Sequence, residues 1–200
     1  MDKKAKPVQA RSQKTRENLL KAALVMYERK GYHKTTVDDI AAEAGVSTGI
    51  AYRYFRNKKD MLLSVISYGA DNIEGLADIG DIRIPDSITD VKQYLEAILK
   101  AFENIHLKYR DIHEELEGLQ HTDEDVRRLY SEITEEKMRD VIPKLTGSLH
   151  DDTNIREKAY AAMGIMEQHC HMMMNNGLYG LNARIMRELA VNAVLEVLNG

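Results

Sequence analysis

Apolar side chains recur along this chain at the spacing of a helix face and almost nowhere at the alternation of a strand. Leu20, Ala23, Leu24 and Tyr27 fall at i, i+3, i+4 and i+7, which lines one side of a 3.6-residue helix. Val37, Ile40, Ala41 and Ala44 repeat that spacing, and Leu62, Val65, Ile66 and Gly69 form a third stripe. Val91, Tyr94, Leu95, Ile98, Phe102 and Ile105 make one face of a long helix, and Ile112, Leu116 and Leu119 mark a shorter one. No stretch sustains strand-like alternation between turn signals, so the predicted class is all-α. At 200 residues, with 44% hydrophobic and 30% charged side chains, the chain has enough material for a real core. That composition excludes a disordered tail protein and a coiled-coil rod.

Punctuation residues divide the helices. A first helix from about Ser12 stops at Gly31. A second, capped by Thr35 or Thr36 with Asp38 and Asp39 in its first turn, stops at Gly45. Ser47 is placed to cap a third helix reaching Tyr54, and Arg56-Asn57-Lys58 separates it from a fourth. Residues 77–86, with Gly80 and Pro85, read as a linker, and Ser87 with Asp90 as a capping box beyond it. Thr122 is expected to cap a helix opening on Asp123, Glu124 and Asp125, which Pro143 should kink or end. Two last helices, 152–176 and 181–198, are split by Asn175-Asn176-Gly177 and Gly180 into a hairpin. The final one carries Leu181, Ile185, Leu189 and Ala193 on one side and Met186, Ala190, Val194 and Val197 on another. That is more apolar surface than one core contact uses. A second copy of the chain would cover it, giving a homodimer through the last two helices; a helix sunk in a large core is the other reading.

The net charge of −4 conceals an asymmetry: residues 1–60 carry 14 Lys+Arg against 7 Asp+Glu, and residues 61–200 carry 14 against 25. A basic half in an acidic chain points to nucleic acid or a membrane surface. No apolar run approaches the roughly 20 residues that cross a bilayer, so no membrane contact is expected. Met1 to Lys14 lacks the apolar stretch of a secretory signal, and the expected compartment is the cytoplasm. One cysteine, Cys170, allows neither an internal disulfide nor a cysteine zinc site.

The second and third helices, with small Ala41 four residues before Gly45 and apolar Val46 and Ile50 sealing the pair, fit a helix-turn-helix. Its second helix would enter the major groove of double-stranded DNA with Ser47, Thr48 and Gly49 at the base edges. Hydroxyls bond several base patterns, the Thr48 methyl suits thymine, and glycine permits close backbone approach. Tyr52, Arg53 and Tyr54 are long enough to reach phosphates or bases, and Lys58 suits a phosphate contact. Lys3, Lys4, Lys6, Arg11 and Lys14 form a basic arm.

The stretch from Thr35 to Leu62, TTVDDIAAEAGVSTGIAYRYFRNKKDML, resembles the signature of the TetR family of transcriptional repressors. The family pattern appears as Thr36, Ala41, Ala44-Gly45-Val46-Ser47, Gly49, Tyr52, Tyr54-Phe55 and Lys58. Lys59 stands where family members often carry an acidic residue, and Tyr54 replaces a commoner histidine. The close resemblance covers about residues 12–66 and the rest matches in layout. It implies a DNA-binding domain over residues 1–60 and a helical body over 61–200 that begins with a connecting helix, binds a ligand and dimerises. The partner is then a pseudo-palindromic operator, and the function is repression released by a small hydrophobic or amphipathic effector.

For the effector, Phe102, His106, Tyr109, His113, Tyr130, Met163, Met166 and His169, with Tyr94 and Met173, are the candidate lining, though a methionine stripe is more often plain core. Glu103 and His106 have the i, i+3 spacing of di-iron bundles. The nearest second pair, Glu167 and His169, is two apart and points to different faces, and His169 and His171 cannot converge on one ion in a regular helix. No metal site and no cofactor are expected. The acidic cluster Glu114, Glu115 and Glu117 has no accompanying nucleophile motif, so the chain is not expected to be an enzyme. A helical-bundle enzyme or metal-binding protein with a basic head is the alternative reading.

Overall fold

Glycines and capping side chains set where the helices stop and start. The computed structural model describes residues 7–72, 88–146, 149 and 153–200, and the described residues are helical with no strand among them. In chain order the helices are α1 (Pro7–Lys30), α2 (Val37–Glu43), α3 (Thr48–Tyr54), α4 (Lys58–Asn72), α5 (Ile88–Lys108), α6 (Arg110–Thr122), α7 (Glu124–Leu145), α8 (Ile155–Met174), the single turn α9 (Asn176–Tyr179) and α10 (Ala183–Asn199). The predicted linker over 77–86 and the Ser87 cap lie outside the described residues.

Gly31 and Gly45 end α1 and α2 in the left-handed region, with φ of 77° and 68°, where a Cβ would be strained. Of the two threonines ahead of α2, Thr36 is the cap. Its hydroxyl accepts from the Asp39 amide at 3.1 Å, and the Asp39 carboxylate accepts from the Thr36 amide at 2.9 Å. Thr35 is buried, its hydroxyl 3.1 Å from the Met26 carbonyl and 2.8 Å from that of Gly31.

Several expected boundaries move. α1 begins at Pro7 rather than Ser12, since a first turn needs no amide donor. Ser47 holds the N-cap position of α3 without a side-chain cap bond. Thr122 closes α6, donating to the Gly118 carbonyl at 3.0 Å. Asp123 caps α7 in its place, accepting from the amides of Asp125 and Val126 at 3.0 and 3.3 Å. A carboxylate only accepts, so it reaches forward to orphan amides, whereas the threonine hydroxyl satisfies the turn behind it. Pro143 lies inside α7, which ends two residues later. Asn176 and Gly177 form the turn α9, and the break falls at Gly180, φ 61°. Asn182 then caps α10, accepting from the Ile185 amide at 3.1 Å.

The helices pack as two units. The first comprises residues 1–70 and 111–129, the second residues 71–110 and 130–200. The sequence draws its line at residue 60; packing puts α4 to residue 70, most of α6 and the start of α7 with the head. In the first unit Leu19, Leu20 and Tyr27 of α1 are, with Ile40, Met61 and Leu62, among the fully buried side chains. Each such leucine contributes about 2 kcal/mol through burial. Ala41 and Ala51, also buried, let α2 and α3 cross closely.

In the second unit α5, α8 and α10 share a core that includes Leu95, Leu99, Cys170, Val191, Val194 and Leu198. Burial pushes the Cys170 thiol up to about 12, leaving it an inert core residue. Glu103 is buried as well. The Glu103 carboxylate accepts from His169 Nε2 at 2.6 Å and from Arg187 Nε at 3.0 Å, with a further short bond from the Arg187 terminal nitrogen. Burial pushes its pKa up, but the His169 and Arg187 bonds outweigh that and hold it below the usual range.

Removing one partner of a buried pair leaves the others uncompensated. Glu103→Gln is expected to destabilise the fold by about 2 kcal/mol in urea unfolding, discounting for the partly exposed Arg187. A change below a few tenths would show that the network contributes no net stability.

Candidate nucleic-acid interface

The turn between α1 and α2 fixes the reading unit. The Glu115 carboxylate on α6 accepts from the backbone amides of Tyr32 at 2.5 Å and His33 at 2.9 Å. Lys58, opening α4, donates from Nζ to the His33 carbonyl at 3.0 Å and sits 4.4 Å above the Tyr32 ring. Desolvation lowers its pKa. Its neighbour Lys59 pairs with Asp123 at 2.9 Å and Asp125 at 2.6 Å. These bonds account for the basic residue at a position where the family signature is often acidic: here the acidic partners come from the start of α7.

The reading helix α3 presents Ser47, Gly49, Tyr52 and Arg53 as exposed residues, with Tyr52 53% exposed. Thr36 is exposed too, but its hydroxyl is engaged in the α2 cap. Thr48 is half-buried and donates a short hydrogen bond to Asp38. Its proton being spoken for, Thr48 offers a base edge its methyl group and its oxygen lone pairs. Asp38 was read from sequence only as a first-turn acid; nothing in the spacing signals this bond, because it joins two helices across the turn. Tyr54 accepts from the Ser12 hydroxyl at 3.3 Å, and Arg16 lies 5.4 Å over the Phe55 ring, so α1 is tied to the end of α3. Arg11 and Lys14 of the basic arm are exposed on α1; Lys3, Lys4 and Lys6 lie outside the described residues. An exposed short-residue helix start, a long aromatic and basic flank and cationic groups on the adjoining helix together suit insertion into a major groove.

The candidate effector residues are brought together only in part. Phe102 stacks on His106 with centroids 6.2 Å apart, and Phe102 and Met166 pack against the core of the second unit. Met163, Tyr109 and Tyr130 are half-buried, and burial pushes the Tyr130 phenol up. His169 is turned to Glu103, and His113 belongs to the first unit. A separate groove of about 420 Å³ runs between α8 and α10, lined by Ala161, Ile165, Met172, Met186 and Leu189 among others. Glu167 and His171, one turn apart on α8, face His106; the sequence reading paired Glu167 with His169 and missed this.

Residues 19–65 match the family described as bacterial regulatory proteins, tetR family. Over 87 residues the chain is 34% identical to the HTH-type transcriptional activator FasR of Mycolicibacterium smegmatis, covering 44% of this chain and 38% of that protein. Over 93 residues it is 29% identical to the HTH-type transcriptional regulator YfiR of Bacillus subtilis, covering 46% and 44%. The matches thus span less than half the length of these curated relatives. Among solved structures, a TetR transcription regulator from Haloarcula marismortui superposes with a TM-score of 0.68 at 16% identity, covering 92% of this chain and 96% of that one.

If the α3 side chains read bases and Lys58 only positions, Lys58→Ala should weaken binding to all duplexes alike and lower the salt slope by about one. Thr48→Val, which keeps a methyl and loses the oxygen, should change the ranking of single-base variants by about 1–3 kcal/mol. Fluorescence anisotropy over a substitution series measures both. A Lys58→Ala protein with altered ranking and intact non-specific affinity would contradict this docking.

Proposed function

For a chain that belongs to the TetR family of transcriptional regulators, we propose repression: a homodimer occupies a pseudo-palindromic operator and leaves it when a small hydrophobic or amphipathic molecule binds the helical body. The observation that carries the reading is the exposed face of α3, Ser47 to Arg53, set on the basic end of an otherwise acidic chain. Reading a two-fold operator needs two such helices, separated by roughly 34 Å, one turn of duplex. The second copy is supplied through α8 and α10. Ile185 and Leu189 stand 48% and 58% exposed on α10, on one of its two apolar sides, while Ala190, Val191, Val194 and Leu198 fill the core. Exposed leucine and isoleucine beside an apolar groove suit a four-helix contact between copies.

The effector reading rests on the aromatic and sulfur side chains around Phe102, His106 and Met166. Such a ligand shifts DNA affinity only through a difference in its own affinity for the two states. No helix among the described residues is long and apolar enough to cross a membrane. FasR is named an activator; for this chain repression is proposed, and a reporter driven by the bound promoter separates the two, since deleting the gene should raise expression under repression and lower it under activation.

Leu189→Glu should yield monomers in analytical ultracentrifugation and abolish gel-shift of DNA flanking the coding region, with its helical content intact. Wild-type binding should fall steeply between low and moderate salt as counterions are released. Tight, salt-insensitive binding by the Leu189→Glu monomer would overturn the proposal.

A further inference from the structure

Three side chains of the second unit converge on one point that the DNA-binding reading does not use. His106 on α5 is buried, and its Nδ1 lies 2.8 Å from the Phe102 carbonyl oxygen. A carbonyl only accepts, so Nδ1 carries a proton and donates it. In the neutral ring that leaves Nε2 as a lone pair, and Nε2 faces Glu167 Oε2 at 3.1 Å. A carboxylate oxygen also accepts. Two acceptors at that separation need a positive centre, either a proton or a cation. A third group stands beside them: His171 Nε2 lies 3.9 Å from the same Glu167 oxygen, with its ring 5.9 Å from that of His106. One ligand atom of each residue lies within 4.8 Å of the others. Two imidazoles and a carboxylate with their ligand atoms this close suit a metal ion.

We propose that His106, Glu167 and His171 bind a divalent transition-metal ion through His106 Nε2, a Glu167 carboxylate oxygen and His171 Nε2. Two imidazoles and a carboxylate favour zinc and its first-row neighbours over magnesium or calcium, which take oxygen ligands. Bonds of about 2.0–2.1 Å place tetrahedral ligand atoms roughly 3.3 Å apart, so the 3.1 and 3.9 Å separations need only small side-chain adjustments. The Phe102 carbonyl fixes the tautomer and ring plane of His106, the part that an outer hydrogen bond plays for metal-bound histidines. The neighbouring Glu103 and His169 are a different case, because the Arg187 guanidinium already supplies the positive charge there. No second Glu-x-x-His pair is needed: Glu167 and His171 form an i, i+4 pair on α8, met by His106 from α5. The site shares His106 with the proposed effector site, but it stands on the geometry of these three side chains and does not depend on repression.

The test titrates Zn²⁺ into the untagged, metal-stripped full-length protein against a chromophoric chelator, and Co²⁺ in parallel for its visible absorption. The expected result is one tight Zn²⁺ per chain, weakened at least tenfold by His171→Ala and by Glu167→Gln and unchanged by His121→Ala, an exposed histidine elsewhere. The Co²⁺ bands should vanish in His171→Ala. Both altered side chains are partly exposed, and far-UV circular dichroism verifies their folding. Failure of the wild type to compete with the chelator, or equal affinity in wild type and the two site variants, would overturn the proposal in favour of a proton between His106 and Glu167.

Discussion

Two backbone amides on one carboxylate hold the DNA-reading head together. Tyr32 and His33 donate to Glu115 in the turn that must swing the chain from α1 into α2. The same turn gives its His33 carbonyl and Tyr32 ring to Lys58, ties Thr35 back to the end of α1 and supplies Thr36 to cap α2. Gly31 permits it: φ is 77°, and a Cβ there would come 3.0 Å from a Glu115 oxygen. The angle at which α2 and α3 are presented therefore depends on α6 as well as on the helices of the motif itself. Lys59 adds a second tie, to Asp123 and Asp125. Exposed pairs of this kind contribute little to stability, but two acceptors on one ammonium define a position. A shift of α6 or of the start of α7 would be felt at the first turn of α4 and in the turn that carries the cap of α2, which gives the head a physical input from outside the motif.

Sequence pattern captured what is local. The glycine stops at Gly31 and Gly45, a threonine cap ahead of α2 and the helix-turn-helix are all short-range features, each readable from a few adjacent residues. Which of Thr35 and Thr36 caps is decided only by the bonds of Thr36 with Asp39. The two apolar sides of the last helix were readable for the same reason, and burial decides between them: Ile185 and Leu189 are exposed while Ala190 and Val194 fill the core. What escaped was long-range and polar. Glu115 lies 83 residues from Tyr32 and reads from sequence as part of a solvated acidic cluster with Glu114 and Glu117. Thr122 and Asp123 are adjacent cap-formers, and only the direction in which each side chain bonds decides between them. The grouping of most of α6 with residues 1–70 is not legible in its stripe of Ile112, Leu116 and Leu119, since hydrophobic periodicity says which face of a helix is buried and not what covers it.

The body illustrates the same limit at its polar centre. Glu103, His106, Glu167, His169 and His171 were all visible as titratable residues on two helices, but their pairing follows from how α5 and α8 face each other. His169 meets Glu103 and Arg187, and His171 with Glu167 meets His106. A two-residue offset along α8 thus directs neighbouring histidines to different partners, as helix geometry requires.

The claim on which the account rests is that α3 of two copies enters successive major grooves on one face of a duplex. Hydroxyl-radical footprinting of the full-length protein on DNA selected from a random pool tests this most directly. The account predicts two protected patches related by two-fold symmetry and separated by about one helical turn, or roughly 34 Å. A single asymmetric patch, or uniform protection without sequence preference, would contradict it.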